Sequence, residues 1–255
     1  MDRSKISWCD YSGGNLNFVL GCTPESEGCQ NCYARALYER WGNDFSQVKM
    51  YPEKLAKFHC MRFPTEGNVR GPGSRPIAFV VDMGDLFHDE ITDQFIMDAL
   101  DIMCSLSHVD FLLLTKRAFR MAQIISTWAK QAEGRLPRNI WPGITAENEE
   151  RFADRWDHLA YAPASGPKWV SVEPMLESMD MMFPEMVEYG WRLPEWVVCG
   201  AESGPNRRPF DVAWAADLKR QCDERGIAFF GKQDSGFSPG VPLLIDGREW
   251  KAWPR

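Results

Sequence analysis

No stretch of this 255-residue chain approaches the ~18 to 20 consecutive apolar residues that a helical bilayer span needs, which excludes an integral membrane protein of that kind. The first residues, MDRSKISWCDYSGG, lack the apolar core of a secretory signal, so a soluble cytoplasmic protein is the expectation. A surplus of positive charge is missing too: 29 Lys and Arg against 36 Asp and Glu leave a net charge of -7. That balance argues against a protein that coats nucleic acid through a general field, while leaving room for a local basic lip around a pocket. P-loops, Rossmann glycine fingerprints and serine-nucleophile elbows are all absent. Neither internal repeats nor low-complexity tracts occur, and composition does not shift along the chain, which points to one domain over residues 1–255.

The composition present is that of an ordinary globular protein, 44% hydrophobic and 25% charged. Short apolar runs at 18–20, 77–81, 111–114, 140–144, 169–172, 196–199 and 227–230 read as strands buried on both faces. Helical spacing separates most of them. Ile96, Ala99, Leu100 and Met103 form one stripe behind Thr92 as N-cap, and Val212, Ala215, Leu218 and Cys222 form another behind Asp211. Strand alternating with helix implies a parallel sheet, so about six to seven such units predict an α/β fold, a partial (β/α) barrel. Gly and Pro mark residues 64–76 and 162–167 as loops, and 237–255, with Leu243, Leu244, Trp250 and Trp253, as an extension packed on the barrel.

In such barrels the working residues stand at the C-terminal ends of strands. Here those ends carry Cys22, Asp82 to Asp85, Lys116 and Arg117, Thr145 to Asn148, Ser171 and Glu173, Glu202 and Ser203, and Lys232 and Gln233. Any one of them alone is as well explained as a helix cap or a solvated loop residue; their repetition predicts a polar pocket at one mouth. Five of the eight cysteines are scattered, whereas Cys22, Cys29 and Cys32 crowd on a loop after the first strand. Without a signal peptide, free thiols or metal ligands are expected rather than disulfides. Three thiolates can hold three irons of a [4Fe-4S] cluster and leave the fourth iron open. A structural zinc site would need a fourth ligand from Cys9, His59 or Cys60, and incidental thiols are a third reading.

The segments Cys22 to Ala34, Asp82 to His88, Leu114 to Arg117, Gly143 to Asn148, Ser171 to Pro174, Gly200 to Pro205 with Arg208-Pro209, and Phe229 to Gln233 together resemble the phage three-cysteine-motif family over nearly the whole chain. That family is similar to the radical S-adenosylmethionine superfamily. The resemblance implies a [4Fe-4S] cluster on Cys22, Cys29 and Cys32, an external electron donor, and reductive cleavage of S-adenosylmethionine to a 5′-deoxyadenosyl radical. The spacing departs from the superfamily's common one: six residues separate Cys22 from Cys29, Asn31 precedes Cys32, and the aromatic Tyr33 follows it.

By position, the resemblance implies that Asp82, Gly84 and Asp85 receive the methionine ammonium, to which a carboxylate offers charge-assisted hydrogen bonds. Thr145, Glu147 and Asn148 would hold the ribose hydroxyls and methionine carboxylate, with Tyr33, Ser171 and Glu173 completing the cofactor site. Lys116, Arg117, Arg207, Arg208 and Lys232 become candidate anion contacts beside Glu202, Ser203 and Gln233. His88 is a candidate proton carrier, or an ordinary loop histidine. The function implied is hypermodification of a phage DNA base, an isomerisation that moves an amino-acid substituent on a modified thymine from carbon to nitrogen. A lyase or repair reaction on a modified nucleotide or DNA is the rival, and a non-catalytic zinc-binding, nucleic-acid-associated module is the alternative outside enzymes.

Overall fold

The computed structural model describes residues 3–64, 69–71, 73 and 75–254; within the loop expected at 64–76, residues 65–68, 72 and 74 lie outside the described residues. Two short strands, β1 (Val19–Leu20) and β2 (Lys49–Met50), pair antiparallel, with helices α1 (Tyr33–Arg40) and α2 (Pro52–His59) on either side of β2 in the chain. There follow β3 (Ile77–Phe79), α3 (Asp93–Ser105), β4 (Asp110–Thr115), α4 (Ala118–Gln131), β5 (Ile140–Thr145) and α5 (Glu149–Ala160). The series ends with β6 (Trp169–Val172), α6 (Phe183–Glu188), β7 (Trp196–Gly200), α7 (Val212–Arg225) and β8 (Ala228–Gln233). Strands β3 to β8 lie side by side in chain order, all parallel, as a curled half-barrel with helices in the crossovers.

The run at 18–20 does not become a strand of this sheet. Gly21, at φ 91°, turns the chain away after two residues, so β1 pairs with β2 and is followed by a bridge of Gly21 to Gly84. A Cβ on Gly84 would stand 3.0 Å from the Gly21 carbonyl oxygen, so this close backbone approach needs glycine there.

Two helices show how local chemistry sets the elements. Thr92 Oγ1 accepts from Phe95 N at 3.4 Å at the start of α3, and an Asp211 carboxylate oxygen accepts from Ala213 N at 2.9 Å at the start of α7. The stripes behind these caps are buried, apart from half-buried Val212. In the C-terminal tail, Leu243 and Ile245 turn into the core while Leu244 between them faces solvent, the alternation of an extended chain. Leu244 therefore lacks the packing expected of it. Trp253 packs edge-on against Phe230 at 5.0 Å and donates its indole N–H to the Trp8 carbonyl.

Candidate functional site

Alternation along the strands sets a floor and a rim. Phe79, Leu112, Trp141, Trp169, Trp196 and Phe230 share the concave face and pack around Trp8, whose ring lies 4.8 Å from Phe79 and 5.4 Å from Trp169. Two or four residues further on, at the same parity, come Lys116, Thr145, Ser171, Glu173 and Lys232. The inner faces are thus apolar and mostly aromatic near the strands' starts, and on β4, β5, β6 and β8 polar at the C-terminal ends, so a largely aromatic layer lies below the polar mouth.

The cysteine-bearing loop lies across this mouth and is fastened to successive strand ends. Thr23 Oγ1 meets His88 Nε2 at 2.8 Å and accepts from Arg117 at 3.0 Å, beyond β3 and β4. Ser26 donates to Glu147 beyond β5 at 2.6 Å. The Glu27 carboxylate accepts from Asn148 at 2.6 Å and pairs with Arg151 at 3.2 Å, while its carbonyl accepts from Arg208 at 3.0 Å. Asn31 donates to Glu202 beyond β7 at 3.0 Å. Gly28 lies so close to the barrel that a Cβ on it would overlap the Glu147 side chain.

All three loop cysteines are free and half-buried. Cys22 and Cys32 lie against a small apolar cluster of Ala34, Tyr38, Phe45 and Met83. Two N–H donors already aim at sulfur: Arg117 Nη1 stands 3.6 Å from Cys22 Sγ, and Glu25 N stands 3.4 Å from Cys29 Sγ. Burial, aided by Asp85, pushes the Cys22 thiol up to about 12 despite the lowering effect of Arg117. Among the described residues no three His, Cys, Asp or Glu side chains converge where a single metal ion would sit. Of the candidates for the fourth ligand of a zinc site, Cys9 is buried against Ser4, and His59 and Cys60 are exposed at the end of α2. A [4Fe-4S] cluster asks for less convergence, because each thiolate bonds a different iron, and three partly shielded thiols on one loop with N–H donors to sulfur fit it.

The two carboxylates of the acidic motif are in different electrostatic states. Asp85 is occupied: Thr115 Oγ1 donates to it at 2.8 Å, Phe87 N at 2.9 Å and Arg117 at 3.0 Å. Asp82 takes part in none of the ion pairs seen among the described residues; Asn17 donates to it, and burial raises its carboxyl above the ordinary value. Tyr33 donates its hydroxyl to the Asp82 carbonyl at 2.7 Å while its ring is 56% exposed to the open mouth.

Most of the remaining expected site residues are engaged with one another. Glu147 is fully buried between Lys116 at 3.0 Å and Arg155 at 2.8 Å, and Asn148 caps α5 by accepting from Arg151 N at 2.9 Å. These contacts occupy the very atoms that the resemblance directs to ribose. Thr145 is buried with its carbonyl held by Arg155 at 2.7 Å. Glu173 pairs with Lys232 at 2.9 Å and accepts from Ser171 at 3.1 Å; Glu202 pairs with Arg208. Of the expected basic lip, Lys116, Arg117, Arg208 and Lys232 stand in ion pairs, and Arg207 is exposed. His88 is buried; its Nδ1 accepts from Glu90 N at 3.2 Å, which leaves Nε2 as the protonated nitrogen that donates to Thr23. Burial, then Arg117, lowers its pKa, so it is a neutral brace of the loop.

Sequence reasoning missed Asn17, Ser26, Asn31 and Arg155 as partners. Arg155 carried a usable signal, since it sits within the buried stripe Phe152, Trp156 and Leu159 of α5, where an arginine requires a counter-charge. The other three are polar loop residues whose partners lie 65 to 171 positions away.

Among solved structures, a mutant of spore photoproduct lyase with dinucleoside spore photoproduct is similar at 12% identity and a TM-score of 0.53, covering 93% of this chain and 78% of that one. Spore photoproduct lyase complexed with dinucleoside spore photoproduct gives 12%, 0.52, and the same coverages. At this identity the likeness is one of fold alone. No curated protein matches. The phage three-cysteine-motif family is not the one whose model matches; a model described as "Protein of unknown function (DUF5131)" does, over residues 3–252, and the chain belongs to that family.

Proposed function

We propose that this protein is a radical S-adenosylmethionine enzyme, one domain over residues 1–255, that acts on a modified base of DNA. The observation that carries the reading is the set of three free thiols on one loop, laid across the polar mouth of the half-barrel beside a carboxylate without a cation. Cys22, Cys29 and Cys32 would hold a [4Fe-4S] cluster. Such a cluster, with S-adenosylmethionine and an external electron donor, supplies the reductive cleavage that makes a 5′-deoxyadenosyl radical.

The chain's own residues do the rest. Asp82 receives the methionine ammonium, because the ligand supplies the missing positive charge. Asp85 keeps Arg117 directed at Cys22, and His88 keeps Thr23 and the loop in register. The aromatic layer below keeps water from reaching the site through the barrel. Ser171 and the Glu173–Lys232 pair line the polar mouth, with Ser203 and Arg207 on the loop beyond β7.

The chemistry proposed is the isomerisation of an amino-acid-modified thymine in phage DNA, in the host cytoplasm. A lyase or repair reaction is favoured by a separate observation, the similarity in fold to spore photoproduct lyase. Anaerobic purification tests the shared premise. The protein should be brown, with about four irons and four sulfides, and each single Ala substitution at Cys22, Cys29 or Cys32 should remove them. Equal loss from Cys9→Ala or Cys60→Ala would contradict an open iron. A colourless protein with one zinc would contradict the enzyme reading altogether.

A further inference from the structure

Phe237 is 71% exposed, an unusual state for phenylalanine on a firmly held loop. The loop follows β8 at the C-terminal mouth and is closed by Asp234 N donating to the Val241 carbonyl at 2.9 Å. Gln233 braces it from both sides: its Oε1 accepts from Gly240 N at 3.1 Å, and its Nε2 donates to the Ala201 carbonyl at 2.9 Å. Ser203, beyond β7, bridges Gly236, and Gly204 N donates to the Gly236 carbonyl at 2.9 Å. Arg207, exposed on that same neighbouring loop, donates to the Gly204 carbonyl at 3.0 Å. An apolar ring and a guanidinium are therefore carried on two loops that are hydrogen-bonded together at the rim.

Of the two carboxylates on these loops, one is ion-paired and the other has no cation among the described residues. Glu202 is held by Arg208, and half-buried Asp234 accepts from Ser235 N. Arg207 is in no ion pair among the described residues, unlike Lys116, Arg117, Arg208 and Lys232. An exposed aromatic ring and an available cation on two joined loops offer the recognition chemistry of an unpaired nucleobase with its phosphate: the ring stacks on any base, and the cation neutralises the backbone.

We propose that Phe237 and Arg207 form a stacking platform at the barrel mouth for a single-stranded or extruded DNA strand, an inference that rests on the DNA-substrate reading above. The platform would hold the strand while the modified base enters the cleft past Tyr33.

Fluorescence anisotropy of the full-length protein with a short 5′-labelled oligothymidylate tests this, before and after iron reconstitution. Phe237→Ala should weaken binding by roughly five- to 150-fold, the factor that ~1–3 kcal/mol of base–aromatic stacking represents, while Phe237→Trp keeps the affinity. Arg207→Gln should reduce the slope of log K against log salt by about 0.7. The proposal is overturned if the parent fails to bind the oligonucleotide or Phe237→Ala binds as the parent does. It is equally overturned if Phe237→Ala changes the sedimentation of the free protein, which would make Phe237, with the exposed Val241 and Leu244, a contact between subunits. Iron and sulfide content, measured on the same preparations, reports separately whether the radical reading stands.

Discussion

Replacing Glu147 by Gln preserves its shape and removes its charge, and this tests how the cysteine loop is held to the barrel. Glu147 has no exposed surface and lies between Lys116 and Arg155 with Ser26 of the loop above it. Burial alone would raise its pKa; Lys116, then Arg155 and Ser26, overcome that and hold it at about 2, against an ordinary 4.5. The difference corresponds to about 3 kcal/mol of stability at neutral pH. Breaking a buried ion pair from one side costs ~3–5 kcal/mol, and the lower end applies because Lys116 keeps some access to water. Because the folded pKa lies below the unfolded one, the contribution is complete above 4.5 and fades as pH falls from there toward 2. Urea unfolding of parent and variant should show a gap of about 3 kcal/mol at neutral pH that narrows by about 1.4 kcal/mol by about pH 3.5. A gap below about 1 kcal/mol, or one that does not change with pH, would refute the reasoning.

Asp82→Asn should weaken S-adenosylmethionine binding by about tenfold to 150-fold in anaerobic calorimetry, the range for a hydrogen bond to a charged group; unchanged affinity would place the ammonium elsewhere. Asp85→Asn should instead lower the unfolding midpoint, because Arg117 would lose its buried counter-charge. Arg117→Gln should make the cluster harder to reduce in an electron-paramagnetic-resonance redox titration, since an N–H donor to a ligand sulfur raises the potential; an unaltered potential would dismiss that contact. Trp169→Ala should cost ~3–5 kcal/mol in the aromatic layer while leaving iron content intact, and a loss under 1 kcal/mol would show that the layer does not hold the barrel together.

Local chemistry made much of the architecture legible. The capped stripes of α3 and α7 and the apolar runs of β3 to β8 announce themselves because caps and side-chain periodicity lie within a few residues. The run at 18–20 misled because its length resembles that of a strand while Gly21 ends it at once. At the site, strand-end cations read as available, whereas each faces a carboxylate from another strand end: Lys232 finds Glu173 and Lys116 finds Glu147. Such pairings are made when strand ends are brought together in the curled sheet, across 31 and 59 positions, and no periodicity encodes them. Asp82 and Asp85 look alike in sequence, and their partners tell them apart, above all Arg117 at 3.0 Å from Asp85. Phe237 opens the tail expected to pack on the barrel, and its exposure at the rim has no local sequence signal.

The central claim is that three thiols and one uncompensated carboxylate make a radical-generating site. Anaerobically reconstituted protein, incubated with S-adenosylmethionine and dithionite and assayed for 5′-deoxyadenosine by mass spectrometry, tests it most directly. The account predicts 5′-deoxyadenosine from the parent, little from Asp82→Asn and none from Cys22→Ala. A parent that retains about four irons yet releases no 5′-deoxyadenosine would contradict it.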